Sequence, residues 1–273
     1  MDDYTTSAIL SSKIVTETFS TSFSSASELF STSIRSDIYN IYALVRVADE
    51  IVDTYQGIHA KELLDALETE VYQAIERKFS ANIIVHAFML TATKFDIHKD
   101  IIKPFFASMR TDLTAKTFNQ NAYQTYIYGS AEVVGLMCLK VFCEGNKKLY
   151  TKLEPGARAL GSAFQKVNFL RDIKDDYVTR GRYYFPIGNY ETFGESEKKQ
   201  IITDIDHDFE KALIYLKQLP SNSAKASRAA FAYYQALLKK LKSVSAEEIK
   251  DHRISVSKPQ KLLLLVGVRL GLV

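Results

Sequence analysis

The chain contains few residues that break or cross-link a fold, with 11 Gly, 5 Pro and 2 Cys among 273 residues. No linker, low-complexity run or repeat of solenoid period divides it, so we expect one domain over residues 1–273. Cys138 and Cys143 stand five positions apart in a helix-like run, which suits neither a disulfide nor a zinc site. We therefore expect them to be plain buried thiols.

Neither positive nor negative charge is in large excess in this chain. The net charge is only +3, and no basic motif with interleaved aromatic residues occurs, which argues against a nucleic-acid partner. The first residues, Met-Asp-Asp-Tyr, are acidic and lack the apolar segment of a signal peptide, so we expect a cytoplasmic protein. The five histidines lie far apart without metal spacing, and we assign them surface or structural roles.

Apolar residues make up 47% of the chain and mostly recur at helical spacing. The pattern predicts a helix over residues 4–19, three helices over 58–115, and two over 195–218 and 221–243 with Pro220 between them. The Ser/Thr cluster at residues 19–24 is typical of a helix break with capping hydroxyls. We therefore predict an all-α protein.

Four polar residues share one face of a predicted helix over residues 161–176. At roughly 100° per residue, Gln165, Asn168, Asp172 and Asp176 fall within about an 80° arc. The opposite flank is apolar, so by itself this stripe is equally typical of a solvated outer face.

A second polar stripe, Arg46, Asp49 and Asp53, lies on a helix that is otherwise almost wholly apolar over residues 38–53. Such a helix is expected to be buried, and charged residues are rarely buried without partners. Two carboxylates four residues apart repel each other, so the pair indicates a cation, and oxygen ligands favour Mg²⁺. Because Mg²⁺ binds through carboxylates together with substrate phosphates, two Asp-rich helices predict a diphosphate substrate.

In combination these motifs resemble the squalene and phytoene synthase family. The matching segments are Arg46-x-x-Asp49-x-x-x-Asp53, Gln165-x-x-Asn168-x-x-Arg171-Asp172-x-x-x-Asp176 and Gly181-Arg-Tyr-Tyr-Phe-Pro186. Either Asp pair alone would be a weak signal. The two pairs in this order, followed by the segment over residues 181–186, are a specific one. The resemblance implies one all-α domain of the isoprenoid synthase type, whose helices surround a central apolar cavity with the two Asp-rich helices facing each other at its mouth.

The resemblance also implies an activity, the head-to-head condensation of two prenyl diphosphates. Chain length and the segment Arg253-Ile-Ser-Val-Ser-Lys258 are most similar to bacterial phytoene synthases, which favours geranylgeranyl diphosphate. The alternative is farnesyl diphosphate, with squalene, dehydrosqualene or hydroxysqualene as product. A hypothesis of another class is a non-catalytic assembly factor of the same fold, but such relatives tend to have eroded aspartates, and both motifs are intact here.

The family likeness further implies roles for individual residues. Mg²⁺, with Mn²⁺ as an alternative ion, is expected at Asp49, Asp53, Asn168, Asp172 and Asp176, and NADPH is not expected. Tyr42 and Tyr128 join the aspartates as expected catalytic residues. Substrate contacts are expected from Ser20, Ser22, Phe23, Arg46, Phe164, Gln165, Arg171, Arg182, Tyr184 and Tyr234. For Arg182, a plain surface arginine is an equally good interpretation.

Two positions leave alternatives open. Glu132 stands where the family usually has glycine, which questions close helix packing there and suggests a polar group at the cavity rim. The apolar stripe with Phe105, Phe106 and Met109 is typical of a core, although a cavity for a long prenyl chain needs a similar wall. Phe23 and Phe164 are the other candidates for the cavity floor.

The tail combines basic residues with a short apolar run. Residues 239–273 carry eight Lys or Arg against three acids, followed by Leu262–Val268. The run is far shorter than the roughly 18 residues that span a bilayer. A final core helix is the commoner explanation, and peripheral contact with an anionic membrane surface is the alternative.

Overall fold

The computed structural model describes residues 2–55 and 57–270, except for the side chains at positions 21 and 22. Within these residues the protein is all-α, and its only β-type pairing is an isolated bridge between Thr117 and Tyr183. A π-helical turn, Tyr128–Glu132, joins two of the helices. The helices are α1 (Asp3–Phe19), α2 (Thr21–Ser27), α3 (Thr32–Asp53), α4 (Ala60–Arg77), α5 (Ile83–Lys94), α6 (Lys99–Asp112), α7 (Gln120–Ile127), α8 (Val133–Cys143), α9 (Lys147–Arg180), α10 (Glu195–Leu216), α11 (Ser221–Ser243), α12 (Ala246–Asp251) and α13 (Lys258–Arg269).

Local capping chemistry fixes several helix ends, because the first backbone N–H groups of a helix need acceptors. Ser20 ends α1 and caps α2, where its hydroxyl accepts from Phe23 N, so the predicted break with capping hydroxyls is confirmed. Asn146 caps α9, the long helix of 34 residues that carries the second polar stripe. Gly181 ends α9 in the left-handed region at φ 65°, which a side chain would disfavour.

There are two large hydrophobic cores, and each contains one of the two Asp-rich helices, α3 or α9. The first packs α3, α4, α5 and α6 against α8, and the second packs α9, α10 and α11 with the chain after α9. Phe105, Phe106 and Met109 are buried in the first core and do not line the cavity. The cavity-wall interpretation of that stripe is therefore wrong, since α6 packs directly against α3, α4 and α8.

α8 and α9 pack closely, in spite of Glu132. A Cβ at Gly161 would lie 2.7 Å from the backbone oxygen of Ala131, and one at Gly135 would lie 2.9 Å from that of Ala157. Both distances are too short for a side chain, so these glycines permit the contact. Glu132 does not disturb it because its carboxylate turns outward and accepts from Arg158 Nε at 2.6 Å.

The last described helix, α13, is a surface helix rather than a core helix. It packs on α11 and α2 and buries Val268, while Leu262, Leu263, Val266 and Leu270 are exposed. The core interpretation of the tail is therefore wrong. By length and composition alone, one described stretch, Gln120–Cys143, could cross a membrane, but half of it is buried, as in the core helices of water-soluble proteins.

Candidate active site

An apolar cavity of about 280 Å³ lies between α2, α3, α8, α9, α10 and α11. Because Ala131 meets Gly161 and Gly135 meets Ala157, α8 and α9 run antiparallel along it. Gln165 lines one end of the cavity, and the Asp stripe of α9 begins about two turns beyond it. The other end is closed by large apolar side chains, namely Phe30, Phe142, Leu153, Tyr215 and Leu219.

Of the predicted floor residues, only Phe23 and Phe164 line this cavity, and they lie near its polar end. The far end is closed instead by Phe142, whose ring centroid lies 5.4 Å from that of Phe30. Phe142 could not be recognised as a floor residue from the sequence, because it belongs to a helix that is apolar on almost every face. Cys138 and Cys143 are free thiols, as predicted, and burial raises their pKa to about 12 and about 11.

The Asp pair of α3 is half-buried rather than buried. Arg46 donates to Asp49 at 2.6 Å and also pairs with Glu50. Burial, followed by the charge of Asp53, raises the pKa of Asp49 to about 6, although Arg46 opposes this shift. Burial and the charge of Asp53 therefore outweigh Arg46 at Asp49, and an added cation would favour the charged form of this carboxylate.

Arg180 joins the two Asp-rich helices. Its guanidinium contacts Asp53 at 3.4 Å and Asp176 at 3.1 Å. The predicted meeting of α3 and α9 through their acidic stripes is thus present in the structure. The sequence did offer a signal for Arg180, because it follows Asp176 by four residues and so shares its helix face.

The two aspartates of α9 differ in their surroundings. Burial alone would raise the pKa of Asp172, but the bonds from Arg171 at 2.9 Å and Arg253 at 2.6 Å outweigh it and lower the pKa. Burial raises the pKa of Asp176 to about 7, and the charge of Asp172 adds to this shift against the opposing charge of Arg180. Asp176 therefore has one arginine beside it, Arg180, whereas Asp172 has two.

Arg182 is neither a free phosphate clamp nor a surface residue. Its side chain is buried and donates to Asp53 Oδ1 at 2.7 Å and to the backbone oxygen of Val52 at 3.1 Å. Tyr184 is also buried, with its ring 4.0 Å from that of Phe169. The structure therefore does not bring Arg182 and Tyr184 to a surface where they could meet a substrate, because Arg182 holds the end of α3 and the Tyr184 hydroxyl bonds to Arg182 and Asp112.

Asp112, on α6, completes this buried network. It accepts from Tyr126 at 2.6 Å and from Tyr184 at 3.0 Å, and it lies 3.8 Å from Arg182. Burial raises the pKa of Asp112 to about 7, although Arg182 acts against the shift. The sequence showed no sign of this residue, since a single aspartate near the end of a helix is usually a surface residue.

Two pairs of aromatic rings lie at the polar end of the cavity. Phe23 stacks on Tyr42 at 4.8 Å, and Phe164 stacks on Tyr234 at 3.9 Å. The Tyr234 hydroxyl donates to Asn168 at 3.2 Å, so this pair also orients an amide of the second stripe. Burial raises the pKa of Tyr42, which keeps its ring a neutral phenol.

Three other predicted residues have distinct positions. Ser20 hydrogen-bonds with Tyr42, close to the first stripe, in addition to capping α2. The side chain of Ser22 lies outside the described residues. Tyr128 is not among the residues that line the cavity, because its ring lies under Arg158, with 5.1 Å between guanidinium and ring centroid.

The donors at the site suit Mg²⁺ in kind, since they are carboxylate and amide oxygens. Across residues 2–55 and 57–270, however, no three His, Cys, Asp or Glu side chains come together as a metal cage. Each aspartate of the two stripes is instead paired with an arginine. This arrangement fits Mg²⁺ bound through one or two carboxylates together with substrate phosphates, rather than by protein alone.

Comparisons with known proteins agree with this architecture. The squalene/phytoene synthase family model matches residues 16–260. The chain is 27% identical to the 15-cis-phytoene synthase of Pantoea ananas, over 91% of this chain and 86% of that protein. It is 28% identical to the 4,4'-diapophytoene synthase of Staphylococcus haemolyticus, over 68% of this chain and 65% of that protein.

Solved structures show the same fold. A dehydrosqualene synthase superposes with a TM-score of 0.82 at 20% identity, covering 98% of this chain and 97% of that one. The squalene synthase HpnC from Alicyclobacillus acidocaldarius superposes with a TM-score of 0.77 at 17% identity, covering 89% and 96%. The match to the family model over most of the sequence, on this fold, shows that the chain belongs to the squalene/phytoene synthase family.

Proposed function

We propose that this chain condenses two geranylgeranyl diphosphates head to head (1′–1) to phytoene. A cyclopropylcarbinyl diphosphate forms first, with loss of one diphosphate and one proton. It then loses the second diphosphate, rearranges and loses another proton. The observation that carries the proposal is that Arg180 joins the Asp pairs of α3 and α9 close to the polar end of an apolar cavity. Family membership supports the coarser statement, a prenyltransferase-type enzyme acting on prenyl diphosphates.

In this proposal Asp49 and Asp53 on α3, with Asn168, Asp172 and Asp176 on α9, hold Mg²⁺, and Mn²⁺ is the alternative ion. When bound, the ion would act as a Lewis acid that neutralises the departing diphosphate. Burial raises the pKa of Asp49 and of Asp176 in spite of the arginine beside each, so a bound cation would stabilise their charged forms, which supports this assignment.

The protein's own side chains position and protect the reacting groups. Arg46 and Arg171 already hold carboxylates beside the expected diphosphate, and a planar guanidinium can hold phosphate oxygens in the same way. Gln165 marks the change from the polar stripe to the apolar cavity. The apolar side chains that line the cavity from Gln165 towards Leu153 keep water away from an allylic cation.

Aromatic rings are proposed to steady the cations. The paired rings of Phe23 with Tyr42 and of Phe164 with Tyr234 lie between the Asp stripes and the cavity. A cation within about 6 Å of such a ring face is stabilised by roughly 0.5–2 kcal/mol. Tyr128 has no part in this proposal, because it lies outside the cavity lining. The last step removes a proton rather than adding hydride, so we propose a reaction without NADPH.

The length of the cavity supports the longer substrate. On α9 the lining residues run from Leu153 to Gln165, which is roughly 18 Å at 1.5 Å per residue. Small side chains such as Gly156, Ala157 and Gly161 keep this stretch open. Farnesyl diphosphate is the alternative substrate, since the matched proteins include a 4,4'-diapophytoene synthase.

The test is a competition between farnesyl and geranylgeranyl diphosphate at equal concentration, with Mg²⁺, with and without NADPH. We expect phytoene as the main hydrocarbon, no effect of NADPH, and no product when Mg²⁺ is chelated. Products made only from farnesyl diphosphate would overturn the chain-length proposal and leave the head-to-head chemistry in place. No hydrocarbon and no released diphosphate from either substrate would favour the assembly-factor hypothesis instead.

A further inference from the structure

The outer face of α13 is apolar and exposed. Leu262, Leu263, Val266 and Leu270 are between 42% and 71% exposed. At roughly 100° per residue these four side chains fall within about a 100° arc of the helix. A continuous stripe of this kind is more than the scattered exposed aliphatic residues of an ordinary surface.

Positive charge borders this stripe. Lys258 and Arg269 lie within about 40° of its edge on the helix, and both are exposed. The segment from Lys258 to Arg269 contains no Asp or Glu. An apolar face flanked by Lys and Arg is the pattern of helices that lie in the interface of a membrane with anionic head groups.

The other side of α13 covers the cavity wall. Val268 packs with Ala26 of α2 and Ala229 of α11. Ala26 itself lines the cavity, as do Ala226 and Ala230 of α11. The side of α13 that carries Val268 therefore packs on the same two helices, α2 and α11, that line the apolar cavity.

We propose that α13 docks this protein on an anionic membrane surface, with Leu262, Leu263, Val266 and Leu270 inserted among the lipids and Lys258 and Arg269 at the head groups. A second copy of the chain fits this face less well. In a twofold interface the same patch meets itself, so the bordering cations would approach each other. Four aliphatic side chains are also far fewer than the roughly 20 residues a side of a stable interface.

The absence of Trp from the chain allows a direct test on the full-length protein. The Leu263→Trp variant places a single fluorophore in the proposed contact, and Ile214→Trp places one at an equally exposed site on α10. With vesicles of phosphatidylcholine and phosphatidylglycerol in equal parts, at low salt, we expect a blue shift for Leu263→Trp and none for Ile214→Trp. Raising the salt to about 1 M, where the Debye length is about 3 Å, should reverse the shift.

A charge variant tests the head-group contact separately. Each basic residue near such a surface contributes about fivefold to affinity, so Lys258→Gln with Arg269→Gln should weaken vesicle binding by roughly 25-fold. Circular dichroism and thermal melting check that this charge variant and the two tryptophan variants keep the fold. Binding without substrate is measured throughout, so the result is independent of the proposed reaction.

Any of the following outcomes would overturn the proposal. The first is no binding of the unmodified chain to anionic vesicles at low salt. The second is equal binding to pure phosphatidylcholine, or equal shifts at positions 263 and 214. The third is a dimer in sedimentation that Leu263→Gln converts to a monomer, which would show that a second copy covers α13.

Discussion

Arg182 donates a hydrogen bond to Asp53 at 2.7 Å, although the two residues are 129 positions apart in sequence. The bond fixes the last turn of α3, which carries one of the two aspartate stripes, to the chain that follows α9. Arg182 is thus a positioning residue for the proposed metal site. Its guanidinium also lies 3.8 Å from Asp112 and donates to the Tyr184 hydroxyl at 3.3 Å. This relationship gives the first prediction.

We predict that Arg182→Gln lowers the free energy of unfolding by roughly 1–3 kcal/mol, because it removes a buried donor from Asp53 and the nearby charge from Asp112, while Arg180 still contacts Asp53. The concentration of Mg²⁺ that gives half-maximal activity should rise as well. Tyr184→Phe removes one hydroxyl, and the free energy of unfolding should fall by only about 1 kcal/mol. Urea unfolding and Mg²⁺ titration measure both effects, and unchanged values for Arg182→Gln would contradict the positioning role.

The second prediction concerns the aspartates themselves. Asp49→Asn and Asp172→Asn should each reduce turnover by at least about 100-fold, because loss of several kcal/mol of charge stabilisation costs a factor of ten for each 1.36 kcal/mol. Asp175→Asn, at an exposed position beside the α9 stripe, is the matched control and should keep normal activity. The measurements are hydrocarbon formation at saturating Mg²⁺ and a circular dichroism spectrum. Near-normal turnover in either of the first two variants would refute the metal assignment.

The third prediction is a pH dependence of stability that arises from Asp112. Its folded-state pKa is raised to about 7, whereas the unfolded value is near 3.8. The stability that this group contributes is therefore fully present below about pH 3.8 and is lost as pH rises through about 7. Relative to Asp112→Asn, the unmodified chain should lose free energy of unfolding between about pH 4 and pH 7, with little further change above that.

Urea unfolding of both proteins across this range, without divalent cations, measures that difference. Contributions from other titrating groups, such as Asp176, are shared by the two proteins and largely cancel. Asp175→Asn serves again as the exposed control and should run parallel to the unmodified chain. A constant difference between the unmodified chain and Asp112→Asn would show that Asp112 is already ionised throughout.

The fourth prediction tests whether the length of the cavity limits the length of the prenyl chain that the protein accepts. Cys138 lines the cavity between its polar end and Phe142. Cys138→Phe should therefore shift the ratio of products from geranylgeranyl towards farnesyl diphosphate, since a longer chain needs the volume that the ring fills. Cys138→Ala should leave the ratio unchanged.

Both Cys138 variants are checked by thermal melting, because an added ring in a packed region costs about 1–3 kcal/mol. Product ratios are then compared at a temperature where both proteins remain folded. An unchanged ratio in a folded Cys138→Phe variant would mean that the prenyl chain does not pass this point.

The helical spacing of apolar residues in the sequence was sufficient to predict several of the helices. The helix predicted over residues 4–19, the three over 58–115 and the two after 195 are all present, because their apolar residues recur with one clear period. The two aspartate stripes could also be predicted, since residues three and four apart on a helix share a face whatever the helix packs against. The family followed from the same motifs.

The contacts between distant residues depended on the tertiary structure. Whether Phe105 lines a cavity or fills a core depends on which helix packs against α6, and an apolar stripe looks the same in both cases. Likewise, no local sequence pattern around Arg182 indicates that this residue is buried against Asp53. The sequence by itself determined the helices and the spacing of their charges, because both are set by local periodicity. The structure alone decided the cavity floor and the contacts of Arg180 and Arg182 with Asp53 and of Arg182 with Asp112, because these depend on how separate elements approach one another.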